Sequence, residues 1–413
     1  MHDDSLANAF LFRQPILDRE QSLTGYQLSL DNGTAVDRHL AAGALCAAYS
    51  ELGLRHALGN QCAYIGIDAE LLRQAAIELL PAEGVILELI FDELPDEDTL
   101  IRCRNLRARG YSLAFSAYAG IDDRSRPLLP MIDIIEIDLQ HTSEQDLHDL
   151  VASLRHLPIK LLAQNVDRRD QMENCRGSGF DLFQGRFFAR PEIVKGRRLS
   201  STQAALIRLI NLLNRDVETA LLEDAFKHEP ALMLNLLRVV NAVGHRGTRL
   251  AQPVTSLRHA ITLLGRRQLQ RWLSLLLLAP TGGSDPLRSP LLQVAALRGR
   301  MMELLIDLSQ SKEDARLGDL AFLTGILSMM PAALGLPLEE ILQQITVESQ
   351  VKGALCEHRG LLGRSLALLE CFDGEDVACC DKLLNDMPGG QIGRQILNKC
   401  LSNALRWLNG GGE

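Results

Sequence analysis

The chain has 413 residues, 46% of them hydrophobic and 23% charged, and a formal net charge of -9. That length suits two domains of ordinary size. The acidic balance lacks the basic surface that non-specific binding to nucleic acid or to an anionic membrane requires.

MHDDSLANAF opens without the basic and apolar regions of a signal peptide, which implies a cytoplasmic protein. FLFRQPIL and LTGYQLSL flank the turn-rich DREQS and predict a hairpin. Short apolar runs follow at 63–68, 85–90, 112–117, 134–139, 159–165 and 180–185. Helical patterns lie between most of them, such as DEDTLIRCRNLRARG with its acidic start and basic, Gly-terminated end. Strands apolar on both faces and joined by helices predict a parallel sheet covered on both sides. Eight such strands suggest a (β/α)8 barrel, with an open doubly wound sheet as the competing architecture.

The rhythm changes near residues 195–202, where PEIVKGRR gives way to helix-capping SST. From there nearly every segment has helical period, which predicts an all-α domain over 200–413 after an α/β domain over 1–195. WLSLLLLAP is too short to span a bilayer and reads as a core helix, so membrane insertion is not expected. Nine cysteines without metal-type spacing read as reduced thiols, not as a disulfide framework.

In the first half RQPILD, TGYQLSL, LELI, IIEID, LLAQNV and GFDLFQGRFFARP occur in order. Together they resemble the EAL domain, the bacterial cyclic di-GMP phosphodiesterase family, whose fold is a modified, TIM-like (β/α)8 barrel. Hydrolysis of a phosphodiester by such a domain uses divalent cations held by hard oxygen ligands. The resemblance places Gln27 where the family has the Glu of its name-giving motif and Gly66 at the usual Asn position. Ser116 and Ala117 stand at the Asp pair, and Gln164 at a further Glu. Glu88 and Gln184 are kept. Asp31 falls at a phosphate-contacting Arg and Glu136 at a Lys. These substitutions imply that the metal ligands and phosphodiesterase activity are lost. The two charge reversals argue against cyclic di-GMP binding. Plainer roles are open to the survivors: Glu88 as a strand-end acid held by a donor, and the glutamines as amides satisfying one another.

The helical half resembles the HDOD domain, a relative of HD-type phosphohydrolases, through LLRVVN and SLRHAITLLG. Ser328 and Met329 stand where HD enzymes carry their metal-binding His and Asp. His259 is expected to be packed and hydrogen-bonded. His245, Arg246, Arg249, Arg266, Arg267 and Arg271 form the one basic concentration, either a solvated helix face or a contact for an anionic partner. No aromatics are read as interleaving with these arginines, and aromatics total only 4%, so stacking on single-stranded bases has little support.

The EAL–HDOD order implies a non-catalytic signal-transduction regulator that works through protein–protein contacts and needs no cofactor. The alternative is a sensor that binds cyclic di-GMP or another small ligand in the old barrel pocket. Self-association stays open.

Overall fold

A computed structural model describes residues 9–31, 33, 43, 45, 49, 52–74, 77, 78, 80–91, 95–116, 126–193, 198–244, 254–279, 289–309, 315–387 and 392–410. Eight strands close into a barrel in chain order: β1 (Phe10–Asp18), β2 (Leu23–Asp31), β3 (Cys62–Ile67), β4 (Val85–Leu89), β5 (Ser112–Ser116), β6 (Ile134–Asp138), β7 (Lys160–Gln164) and β8 (Leu182–Gln184). β1 is antiparallel to both β2 and β8, and every other pair is parallel. The expected hairpin and barrel are therefore present, and the open sheet is not.

Below the strand ends the barrel is filled by Ile16, Tyr64, Ile86, Ala114, Ile134, Leu162 and Leu182. One residue from most strands thus supplies the interior layer that a packed barrel needs. Side chains two positions further along face inward again, because strand residues alternate between faces. That rule puts Gln14, Gln27, Glu88, Ser116, Glu136 and Gln184 in the next layer, at the rim. Gly185 follows β8 with φ 152°, and a Cβ there would meet the Val166 carbonyl oxygen at 2.0 Å. Glycine is required where β8 leaves the barrel so close to that backbone.

Two compact units emerge from the contacts. One holds 1–190, 288–293 and 367–413, and the other 191–287 and 294–366. The sequence division at 195–200 put the C-terminal segment with the helical half, whereas its contacts group it with the barrel. Asn398 shows how. It lies on helix Arg394–Leu408, 1% exposed, and accepts the Leu11 N–H at 2.8 Å while donating to the Ala9 carbonyl at 2.9 Å. Ser402 and Asn409 likewise donate to the carbonyls of Leu52 and Ala57. Phe372 packs against Phe10 and Phe12, with centroids 6.3 and 5.2 Å away.

A disulfide joins Cys371 to Cys379 across the turn from helix Gly360–Asp373 to helix Val377–Asn385. This corrects the reading of all cysteines as free thiols. The pair is only eight residues apart, and the helix-to-helix turn brings the Cα atoms to 5.9 Å. That distance falls within the ordinary disulfide range.

The second unit is built of helices. Helices Pro290–Ser309 and Ala315–Leu327 approach closely at two glycines, and a Cβ on Gly325 would lie 2.7 Å from the Gly299 Cα. Residues Arg316–Leu334 are the one stretch among the described residues long and apolar enough to cross a membrane, and most of it is buried within the protein. Helix Leu257–Leu276 breaks at Gly265, φ 75°. His259 is exposed there, contrary to expectation. Leu257, Ala260 and Ile261 form the buried face, and position 259 falls outside that i, i+3, i+4 stripe.

Candidate functional site

The rim layer of the barrel is a chain of hydrogen bonds between amides and carboxyls. Gln184 donates its Nε2 to the Oε1 of Gln14 at 2.8 Å and also to the Oε1 of Gln27. Gln27 passes its own Nε2 to Glu88 Oε2 at 2.7 Å. Glu88 and Glu136 hydrogen-bond to each other, and Gln164 Nε2 donates to Glu136 Oε2 at 3.0 Å. Glu88 and Glu136 are 2% and 1% exposed.

Small side chains on β5 let the two acids meet. Glu88 is registered with Ala114, and Ser116 with Glu136, so nothing bulky on the intervening strand separates them. Burial first, and then the neighbouring Glu88 carboxyl, push Glu136 well above the ordinary carboxylic range. Glu136 therefore keeps its proton to a higher pH than a free carboxyl does, as an acid beside a second acid will. Tyr64 lies one layer down, and its hydroxyl is also pushed up, by burial and then by Glu136, Cys62 and Glu88.

Beside this layer opens a pocket of about 240 Å³ between β2, β3 and β4, lined by Gln27, Leu28, Gly66, Ile67, Glu88 and Ile90 among others. An ideal Cβ on Gly66 would lie 3.0 Å from Ile90 Cδ1 and 4.0 Å from Glu88 Oε2, so glycine leaves room between these two side chains. Asp31 sits at the end of β2 and accepts the Gly33 N–H at 2.7 Å. Ala117 lies outside the described residues.

Sequence reasoning passed over three further groups. Gln14, within RQPILD, completes the amide chain. Asp138, 4% exposed at the end of β6, receives Asn165 Nδ2 and the Gln140 N–H, both at 2.8 Å, and pairs with His141 Nδ1 at 2.8 Å. Burial raises its pKa, but the bonds from Asn165, Gln140 and His141 outweigh that and hold the carboxyl below its usual range. The third is Glu375, in the turn after helix Gly360–Asp373. It accepts a hydrogen bond from Gln14 and lies 3.9 Å from Arg186. The acid of IIEID and the amide of LLAQN were the available signals for the Asp138 group. Nothing local marks Glu375.

Among the described residues no three His, Cys, Asp or Glu side chains are grouped to hold a metal ion. The buried carboxyls here face amide N–H donors and each other. The described residues thus do not fit a divalent cation, which takes several anionic or carbonyl oxygens.

In the helical unit Ser328 Oγ accepts from Arg298 at 2.9 Å and donates to the Gly325 carbonyl at 2.8 Å, while Met329 is buried. Arg267 and Arg271 share the carboxylates of Glu303 and Asp319, and Arg271 lies 4.2 Å over the Phe322 ring. Arg266 pairs with Asp216 at 3.2 Å. His245, Arg246 and Arg249 lie outside the described residues.

No family model matches the chain. It is 25% identical over 419 residues to YuxH, an uncharacterized protein of Bacillus subtilis, covering 97% of this chain and 98% of that one. It is 26% identical over 384 residues to the cyclic di-GMP phosphodiesterase CdgJ of Vibrio cholerae, covering 91% of this chain and 87% of the relative. Solved structures that match include an EAL domain protein of Listeria monocytogenes, at 17% identity over 45% of this chain and 90% of that chain, with TM-score 0.37. Another is the Bacillus subtilis YkuI protein, with an EAL domain, in complex with cyclic di-GMP and calcium, at 17% identity over 63% of this chain and 72% of that chain, with TM-score 0.37. In sequence the chain is thus similar to a protein named a cyclic di-GMP phosphodiesterase. The expectation that it is not an enzyme is corrected by the Vibrio cholerae relative, which is named a phosphodiesterase and aligns along nearly the whole chain.

Proposed function

We propose that the protein is a bacterial regulator in cyclic di-GMP signalling whose barrel rim is its ligand-responsive site. The helical unit, read as an HDOD-type module, passes the state of that site on by contact with a partner protein. The observation that carries this reading is the likeness to a cyclic di-GMP phosphodiesterase along 91% of this chain, so that it extends well beyond the barrel. The rim geometry supports it. Glu88 borders a pocket with apolar walls, and a carboxylate there suits a planar base that offers adjacent N–H donors, as the edge of guanine does. The Oε1 of Gln184 is a second buried acceptor, with no hydrogen-bond partner among the described residues.

The test is equilibrium dialysis of the full chain against cyclic di-GMP, with turnover measured in the same samples with Mg²⁺ and with Mn²⁺. Saturable binding or hydrolysis supports the reading. A chain that neither retains nor converts the nucleotide contradicts it. Crosslinking in the native cell then tests the relay, which requires a partner whose capture changes with the nucleotide.

A further inference from the structure

The C-terminal segment reaches the barrel rim through three residues of one turn, Phe372, Asp373 and Glu375. Phe372 packs on Phe10 and Phe12 of β1, and Asp373 lies 3.8 Å from Arg13. Glu375, held at φ 57°, meets Gln14 and Arg186. Its side chain is 24% exposed. The turn itself is closed by backbone bonds from Glu375 to Phe372 and from Asp376 to Cys371.

This contact continues the rim chain. Burial raises the Glu375 pKa against the lowering effect of Gln14 and Arg186, and once ionised its carboxylate can only accept, so Gln14 turns its NH2 towards Glu375 and its Oε1 inward. Gln184 then has to donate to that Oε1, and it does. The Nε2 of Gln184 also reaches Gln27 Oε1, which leaves Gln27 to present its own NH2 to Glu88. Each amide orientation follows from the one before it, over three glutamines on three strands.

We propose that Glu375 is a positioning residue for the barrel site, fixing through Gln14 and Gln184 the direction in which Gln27 faces the Glu88–Glu136 pair. The inference rests on the reading of the rim as the ligand-responsive site. An uncharged amide at 375 can donate instead of accept. Gln14 is then free to turn, the chain reverses, and Gln27 shows its carbonyl to Glu88, which must keep a proton to bond it. Among the described residues Tyr64 feels both carboxyls of the pair, and Arg13, Arg186 and Asp31 act on Glu375.

The experiment is an infrared pH titration of the full chain without nucleotide, following the carboxylic-acid carbonyl band, with Glu88→Gln used to assign it. In Glu375→Gln the pair should keep its proton to a pH about one to two units higher, the scale of one hydrogen bond to a charged group. Mere loss of a nearby negative charge acts in the opposite direction and lowers that pH, so an unchanged or lowered value overturns the proposal. Gln14→Met gives a second handle. The double variant should shift no further than the single ones, and full additivity also overturns the proposal. Thermal unfolding verifies that each variant is folded. A titration with cyclic di-GMP on the same samples separates the two readings. The band shift without nucleotide binding removes the ligand assignment alone, and binding without the shift removes the relay alone.

Discussion

Glu136 hydrogen-bonds Glu88 inside the barrel, from β6 to β4, over the small side chains that β5 places between them. The folded state therefore holds a proton that the unfolded chain releases near the ordinary value of 4.5. An acid with a raised folded pKa contributes its full stability below the unfolded value and loses it as pH rises through the folded value. Stability of the native chain should fall as pH rises above about 5, by at most about 1.4 kcal/mol per pH unit within that window. Glu136→Gln keeps a donor for Glu88 and has no proton to lose. Its thermal melting should be flatter across the same range, and an equal slope would contradict the retained proton.

Asn398 substitutes for a strand neighbour at the start of β1, satisfying Leu11 N–H and the Ala9 carbonyl together. Asn398→Ala leaves two buried backbone groups without partners. The expected loss is about 2–4 kcal/mol in urea unfolding, from the usual cost of unsatisfied groups. A loss below about 0.5 kcal/mol would show that the helix is not anchored there.

In the helical unit Glu303 is buried among Arg267, Arg271 and Arg300. Burial raises its pKa, but hydrogen bonds from Arg271 and Arg300 outweigh that and hold it below the usual range. Its contribution is present above the unfolded value and is lost as pH falls through the folded one. Glu303→Ala strands several guanidinium groups and should cost about 3–5 kcal/mol. Hydrogen exchange should accelerate in helices Leu257–Leu276 and Pro290–Ser309, and unchanged exchange in both would count against the cluster.

Cys371→Ser removes the link across the turn that carries Glu375. Loop closure over so short a span is worth about 2–3 kcal/mol at most. Denatured native chain should yield two more titratable thiols after reduction than before. An equal count would show that the link does not form.

Much of the barrel was legible in the sequence because each strand is a short apolar run bounded by turns, and apolarity on both faces distinguishes a covered parallel sheet. The rim was legible in part. Gln27, Glu88, Glu136, Gln164 and Gln184 stand on five different strands, and the structure brings them into one chain. Gln14 and Glu375 were not legible. A glutamine inside an antiparallel strand and an acid in a helix-to-helix turn both look like surface residues until the C-terminal segment meets β1. Asn398 is the same case, bonded to residues 387 and 389 positions away, a separation that no local periodicity records.

The most direct measurement is a calorimetric titration of the full chain with cyclic di-GMP, repeated on Glu88→Ala and Gln184→Ala. A rim that recognises the base through these acceptors should give saturable heat with a dissociation constant on the order of micromolar. The affinity should fall at least about tenfold, one to two hydrogen bonds' worth, in each variant. No heat from the native chain, or equal affinity in all three proteins, would contradict the assignment of the barrel rim.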